Sequence, residues 1–142
     1  MRVSFEKAEL DLDLIHAFLS GAYWSVGIPR HLVERAIQGS FCVAALEPDE
    51  DGKDEQIGFA RLVTDYATFA YLADVLVLPA HRGKGVARAM IEALHAHPEL
   101  QGLRRWALFT RDMQPLYAKL GWKAYPYPER LMVRDDPDIY QR

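Results

Sequence analysis

The sequence is poor in the features of disulfide-rich, membrane-spanning and nucleic-acid-binding proteins. It has one cysteine, Cys42, which excludes an internal disulfide and a cysteine cage for a metal. No apolar run approaches the length of a membrane span, and the first residues lack the apolar core of a signal peptide. The net charge of −3 gives no general attraction to nucleic acid. We therefore expect a cytoplasmic protein that binds neither nucleic acid nor membrane.

The cysteine and the histidines also offer no clear candidate for a nucleophile or a metal site. Cys42 lies in the apolar run 41–46, which favours a packed thiol over a nucleophile. The histidines outside residues 74–87 show no metal-ligand spacing with acidic partners, so we expect no metal. No repeat, low-complexity segment or linker divides the 142 residues, half of which are hydrophobic. The chain is thus expected to form one domain, residues 1–142, with a single core.

The most informative stretch of the sequence is residues 74–87. Its four consecutive aliphatic residues, 75–78, predict a strand buried on both faces, which Pro79 ends because it has no N–H to donate. Two glycines flanked by cations follow at 82–85, and an amphipathic helix opens at Val86. The N–H groups of a first helical turn have no intrahelical partner, and the helix dipole places positive charge there. This arrangement predicts a binding site for a diphosphate.

Two well-known diphosphate motifs do not fit this turn. A Walker A loop needs Ser or Thr directly after its lysine, but Lys84 is followed by Gly85. A dinucleotide fingerprint needs a small residue where Arg88 stands. A nucleotide-binding protein that holds a different diphosphate remains one alternative.

Periodicity along the chain predicts an α+β fold in the order β-α-α-β-β-β-α-β-α-β. An antiparallel meander followed by a βαβ crossover makes a mixed, mostly antiparallel central sheet flanked by helices. Charged residues 47–55 are expected to form a hairpin loop, and the acidic tail 135–138 is expected to be frayed. The predicted strands are 2–6, 40–46, 57–64, 69–78, 103–110, 122–125 and 131–134, and the predicted helices start at Asp11 or Asp13, at Pro29, at Gly83 and at Asp112.

The glycine-rich turn resembles the acetyl-CoA-binding motif of the GCN5-related N-acetyltransferase (GNAT) superfamily, R/Q-x-x-G-x-G/A. Arg82, Gly85 and Ala87 stand at its three fixed positions. Residues 115–122 are similar to the last helix of that family, in which a tyrosine is followed four residues later by Gly and then by an aromatic residue. The predicted order of elements is also the order that the family uses. The resemblance spans nearly the whole chain and is strongest between residues 73 and 122.

The resemblance implies that acetyl-CoA is the cosubstrate. In the family, the central strand splays from its neighbour and its backbone pairs with the pantetheine amides, while the turn holds the diphosphate. Thr110 stands where many members carry an asparagine that contacts the cofactor arm. The residues expected to bind the cofactor are Leu76, Val77, Leu78, Arg82, Gly83, Lys84, Gly85, Val86, Ala87 and Thr110.

The resemblance also implies the catalytic residues of an acetyl transfer to an amine. Tyr117 takes the position of the family's general acid, which protonates the departing thiolate; the alternative is a tyrosine that only fills the core. Asp74, on the central strand, is the best-placed base, with Asp65 in reserve. A hydrogen bond from Asp74 to a neighbouring backbone turn is an equal alternative. Direct attack is expected, since no cysteine or serine resembles an activated nucleophile.

The acceptor is expected to be a small-molecule or peptide amine, and its identity is not encoded in the fold. We expect it to contact exposed aromatic and neighbouring residues of the first two helices and of the turn before the central strand. These residues are Tyr23, Trp24, Ile28, Asp65 and Phe69. The resemblance also allows a homodimer. A GNAT-fold sensor that binds CoA or acetyl-CoA without turnover is the main functional alternative, because Thr110 departs from the family pattern.

Overall fold

The computed structural model describes all 142 residues and is built on one five-stranded sheet of order β1-β2-β3-β4-β5. Neighbouring strands are antiparallel except β4 and β5, which are parallel. The strands are β1 Arg2–Ser4, β2 Phe41–Pro48, β3 Asp54–Thr64, β4 Phe69–Val77 and β5 Arg105–Leu108, and the helices are α1 Leu12–Gly21, α2 Arg30–Gln38, α3 Val86–Ala96 and α4 Gln114–Lys119. The predicted mixed sheet with flanking helices is confirmed.

Helices α1 and α2 cover one face of the sheet. The carboxylate of Asp11 accepts a hydrogen bond from the Leu14 N–H at 3.1 Å and so caps α1. Pro29 precedes α2 and Gly39 ends it, as the sequence predicts. The buried stripes of the two helices pack on Cys42, Phe59 and Leu76. Cys42 is therefore a packed thiol, and burial raises its pKa to about 11.

Helix α3 lies against the other face of the sheet and buries Val86, Met90, Ile91 and Leu94. Its close approach requires a glycine at position 58 of β3. A Cβ atom there would lie 2.9 Å from Val86 Cγ1 and 3.0 Å from Met90 Cε. Since Val86 is the first residue of α3, this contact fixes where the N-terminus of α3 lies relative to the sheet.

Strand β4 carries a β-bulge that changes which face its side chains point to. Its pairing with β3 skips Ala73, because consecutive residues of β3 pair with Leu72 and Asp74. Leu72 belongs to the core under α3, whereas Leu76 belongs to the core under α1 and α2. Without the bulge, the two leucines would share one face. The bulge thus turns Asp74 toward α1 and α2.

Strands β4 and β5 pair over only part of their length. The parallel ladder joins Phe69–Leu72 to Arg105–Leu108, while β4 continues to Val77. From Ala73 onward, the edge of β4 that faces β5 has no strand beside it. The sheet is therefore open at the point where the glycine-rich turn follows β4.

The C-terminal part of the chain differs from its prediction. Residues 122–125 and 131–134 form no strand, and Met132 is 89% exposed. Their strand-like pattern lies next to Pro126 and Pro128, which cannot donate to a ladder, and the sheet ends at β5. The prediction of a final strand is wrong. The predicted loop 47–55 is also shorter than expected, since its ends extend β2 and β3.

The acidic tail is not frayed. A 3₁₀ turn covers Ile139–Gln141, and the guanidinium of Arg142 donates two hydrogen bonds of 2.7 Å to the carboxylate of Asp136. The tail folds back so that the Tyr140 backbone lies against Gly27, in the turn between α1 and α2. None of the helices has the length and apolar character needed to cross a bilayer.

Candidate active site

The turn between β4 and α3 presents a row of free backbone N–H groups. Gly83 and Gly85 have φ of 76° and 79°, a left-handed conformation that favours glycine. No backbone N–H group from residues 83–88 donates to an acceptor within the chain. These groups point outward at the N-terminus of α3, where the helix dipole adds positive charge. The turn is therefore a concave donor surface suited to an anion with several oxygens.

The turn is held in place from two sides. The Arg82 Nε donates a hydrogen bond of 3.1 Å to the carbonyl of Val77, the last residue of β4. His81 contacts Glu47 at 3.2 Å and Glu55 at 3.7 Å, at the neck of the β2–β3 hairpin. Lys84 is exposed and makes no ion pair. The sequence does not indicate the role of the hairpin, because the partners of His81 are distant along the chain.

The free edge of β4 leads directly from this turn toward the bulge. Leu76 is buried under α1 and α2, and the Leu78 N–H donates to the Ile57 carbonyl at 2.9 Å. The side chains of β4 therefore belong to the core, whereas its backbone lies along an edge that no strand occupies. A ligand with amide groups can pair with such an edge in the manner of an added strand.

Tyr117 lies on α4 and packs into the core under α3. The residue is 8% exposed and its ring centroid lies 5.8 Å from that of Trp122. Its hydroxyl has no hydrogen-bond partner in the protein, yet it is not among the fully buried polar atoms. Burial, reinforced by the nearby Tyr23, raises the pKa of Tyr117 to about 12. The phenol is thus protonated at neutral pH, and its hydroxyl is not completely shielded from solvent.

Tyr23 connects α4 to the turn after α1. The Tyr23 hydroxyl accepts a hydrogen bond of 3.3 Å from the Arg111 N–H, and the Arg111 guanidinium stacks 3.9 Å from the ring centroid. The Tyr23 and Trp24 rings are also in edge contact at 5.1 Å. Sequence reasoning predicts the two aromatics but misses Arg111, whose partner lies 88 residues away.

Asp74 is held by side chains rather than by a backbone turn. Its Oδ2 accepts a hydrogen bond of 2.7 Å from the Arg61 Nε, and its Oδ1 accepts one of 2.7 Å from the Trp24 Nε1. Arg61 also donates to the Ser40 hydroxyl at 3.1 Å. The alternative of a bond to a neighbouring turn is therefore wrong. Each carboxylate oxygen can still accept one further hydrogen bond.

We expect Asp74→Ala to destabilise the protein, because it leaves the Arg61 guanidinium without its partner. The side chains of the pair are only 7% and 19% exposed. Breaking a buried pair by removing one partner costs about 3–5 kcal/mol in the free energy of unfolding. Urea denaturation measures the loss, and Asp13→Ala serves as the control, because it removes the exposed carboxylate that pairs with Arg30. A loss no larger than that of the control would contradict this prediction.

An apolar pocket of about 160 Å³ lies between β4 and the helices α1 and α2. Trp24 and Ile28, both predicted to contact the acceptor, line it together with Asp74. Asp74 is its only carboxylate, and ten of its 13 lining residues are hydrophobic. Tyr71 and Tyr140 also line the pocket and are missed by sequence reasoning. Burial and the nearby Asp74 raise the pKa of Tyr71, so it enters the pocket as a neutral phenol.

Asp65 and Phe69 do not join this group of residues. The Asp65 carboxylate accepts hydrogen bonds from the backbone of residues 67–69 and from the Thr68 hydroxyl, and these bonds hold its pKa far below the usual range. It is a structural cap of the β3–β4 turn and a poor proton acceptor. Along a strand, Phe69 lies about 15 Å from Asp74. Asp65 is therefore poorly suited as a reserve base, and neither Asp65 nor Phe69 lines the pocket.

Thr110 lies between β5 and α4. Its hydroxyl oxygen accepts a hydrogen bond of 3.0 Å from the Met113 N–H, which stabilises the turn before α4. The hydroxyl proton remains free to donate, so a contact with a cofactor stays a prediction. No three side chains among the histidines, the cysteine and the acidic residues come together to hold a metal ion.

Comparison with known families gives one consistent match. Residues 37–124, more than half of the chain, match the model of the acetyltransferase (GNAT) domain. That range contains the glycine-rich turn, the bulged strand and α4, and it excludes α1 and the C-terminal tail.

Individual relatives agree with this match. A protein of Gibberella zeae that carries the name of an acetyltransferase is 36% identical over 87% of this chain and 79% of its own length. The crystal structure of a protein assigned to the GNAT family, from Xanthomonas campestris, is 46% identical, with a TM-score of 0.90 over 99% of this chain and 96% of that one. The chloroplastic GCN5-related N-acetyltransferase 2 of Arabidopsis thaliana is 30% identical over 76% of this chain, which spans 50% of that relative.

Proposed function

Because the chain belongs to the GNAT acetyltransferase family, we propose that it transfers the acetyl group of acetyl-CoA to a primary amine. The observation that carries this proposal is the row of free backbone N–H groups of residues 83–88 at the end of the open edge of β4, and the unpartnered hydroxyl of Tyr117 supports it. A phosphate-binding turn, a strand edge for amides and a protonated phenol are the three features that a CoA thioester needs.

The turn fits the diphosphate of CoA. A Cβ atom at Gly83 or Gly85 would meet nothing within 4 Å, so the space over both glycines is open to a ligand. Arg82 and Lys84 add positive charge beside the N–H groups, and charge-assisted hydrogen bonds to phosphate are roughly twice as strong as neutral ones. The pantetheine arm would then pair with the backbone of residues 76–78, and the hydroxyl of Thr110 can donate to it.

The chemistry assigned to the residues is one direct transfer. The amine nitrogen attacks the thioester carbonyl, the C–N bond forms, and the C–S bond breaks. Tyr117 donates its proton to the departing sulfur, since its neutral phenol is the available acid. The nitrogen must lose a proton, and Asp74 is the proposed acceptor, directly or through water, because it is the only carboxylate that lines the pocket.

We expect acetyl-CoA and CoA, but not ATP or NAD, to raise the melting temperature. A ligand at 100 times its Kd stabilises the native state by about 2.7 kcal/mol. For a chain of this size, that corresponds to roughly 10 °C. Differential scanning fluorimetry with the four ligands at equal concentration measures the shift. Stabilisation by ATP or NAD alone would favour the alternative of a nucleotide-binding protein.

The remaining alternative is a sensor that binds CoA without turnover. Release of free CoA from acetyl-CoA, followed across a library of primary amines, separates the two functions. Amine-dependent release supports the transferase. Saturable binding of acetyl-CoA with no release above the buffer rate, for any amine in the library, supports the sensor.

A further inference from the structure

The C-terminal tail forms part of the wall of the apolar pocket. Tyr140, within the 3₁₀ turn Ile139–Gln141, lines the pocket opposite the sheet. Its backbone fits against Gly27, where a Cβ atom would lie 2.8 Å from the Tyr140 carbonyl oxygen. The bidentate pair between Arg142 and Asp136 closes the loop that carries Tyr140. The position of the tail is therefore defined by contacts on both sides of Tyr140.

The volume of the pocket limits what it can hold. About 160 Å³ is close to the volume of a cavity of 150 Å³ that is known, in another protein, to bind benzene. The lining is mostly apolar, and its polar end is the ion pair of Asp74 with Arg61, in which each carboxylate oxygen can accept one further hydrogen bond. A primary amine on an apolar body of about one ring matches the volume, and its N–H groups can donate to the free acceptor positions of Asp74.

We infer that Tyr140 and the folded-back tail set the size of the acceptor and restrict it to a primary amine on an apolar body of about one aromatic ring. This inference rests on the proposed acetyl transfer for the identity of the ligand, but it concerns the selectivity of the pocket. Tyr140 is a specificity-determining residue in this reading: it contacts the body of the acceptor and takes no part in proton transfer.

Amine binding in the presence of CoA tests the inference without requiring turnover. Benzylamine and 4-phenylbenzylamine differ by one ring, and isothermal titration calorimetry gives the Kd of each. We expect the parent protein to prefer benzylamine by on the order of tenfold or more, since the second ring has no room. In Tyr140→Ala, we expect this preference to disappear or reverse, because the truncated side chain leaves space for the second ring.

Two pairs of variants test whether the position of the tail, rather than a general change in stability, sets the preference for benzylamine. Tyr140→Phe keeps the ring and should keep the preference of the parent. Gly27→Ala places a methyl group against the Tyr140 carbonyl and should displace the tail without altering a residue that lines the pocket. Gly52→Ala is its control, because Gly52 has a φ of 79° against 81° for Gly27 and no neighbour within 4 Å. Gly27→Ala should lose the preference for benzylamine, and Gly52→Ala should keep it.

The outcomes distinguish this inference from the proposed function. Equal affinities for the two amines in the parent, or an unchanged preference in both Tyr140→Ala and Gly27→Ala, would overturn the role of the tail. Turnover of acetyl-CoA with a retained preference in both variants would leave the transferase intact and reject the inference. A preference lost in both variants, with no turnover for any amine, would support the tail as the wall and reject the transferase.

Discussion

Tyr117→Phe is expected to lower kcat by on the order of 100- to 10,000-fold while leaving the affinity for acetyl-CoA nearly unchanged. The substitution removes only the phenolic hydroxyl, which makes no hydrogen bond within the protein. Packing against Trp122 is retained, so the free energy of unfolding should change little. The proton is needed mainly in the transition state, and its loss should therefore affect kcat rather than binding.

The pH dependence of the parent gives a second measurement of the same role. Burial raises the pKa of Tyr117 to about 12, which is above the usual value for a tyrosine. The acid form therefore persists through the alkaline range in which free amines become abundant. We expect kcat to show no fall from ionisation of this phenol below about pH 11.

Tyr125→Phe is the matched control, because Tyr125 is exposed and does not line the pocket. It should behave as the parent. Steady-state kinetics with an accepted amine, together with the Kd of acetyl-CoA, measures both variants. A defect of Tyr117→Phe confined to the Kd would make Tyr117 a binding residue. Full activity in Tyr117→Phe would leave it as a core tyrosine, with water as the proton donor.

Gly85→Glu is expected to abolish CoA binding at concentrations that saturate the parent, while the fold survives. The added carboxylate would project from the N-cap of α3 into the space proposed for the diphosphate. Two like charges about 4 Å apart near a protein surface repel by roughly 4 kcal/mol. That energy corresponds to about a thousandfold in Kd for a single pair of charges.

Gly52→Glu is the control, because it introduces the same charge and the same backbone strain at a position away from the turn. Gly52 has the same φ of 79° as Gly85 and, like Gly85, has no atom within 4 Å of its would-be Cβ. It lies in the loop between β2 and β3, away from the turn. Gly85→Gln then separates charge from bulk, and we expect a smaller loss of affinity. Equal Kd values for CoA in Gly85→Glu and Gly52→Glu would show that the diphosphate binds elsewhere.

Local patterns predict much of this molecule because the relevant interactions are local. The Asp11 cap, the apolar stripe that ends at Gly39 and the turn at 82–85 depend on neighbours within a few residues. The apolar run at 131–133 is also typical of a strand, yet no strand forms there. A strand needs a partner, and the sequence pattern of one segment does not show whether an edge is available to it.

The parts of the site that the sequence does not predict depend on contacts between residues that are far apart along the chain. The partners of Asp74 lie 13 and 50 residues away along the chain, and the fold alone brings them together. Tyr140 is even farther from the rest of the pocket, and its segment is charged and rich in aspartate, which predicts a solvated tail. The pattern of charges predicts that such a segment is exposed to water, but it does not show which of its side chains packs against the rest of the protein.

The bulge at Ala73 reverses, halfway along β4, which face of the sheet the even-numbered side chains point to. Before it, the even-numbered residues Ala70 and Leu72 belong to the hydrophobic core under α3; after it, Asp74 lines the pocket and Leu76 belongs to the core under α1 and α2. The even-numbered residues of the two halves of β4 therefore pack against different helices. Under the proposed function, a substitution at Asp74 or Leu76 would alter the acceptor side of β4 and leave unchanged the residues that pack under α3. The single unpaired residue thus separates the side chains that would contact the acceptor from those that position the phosphate-binding turn.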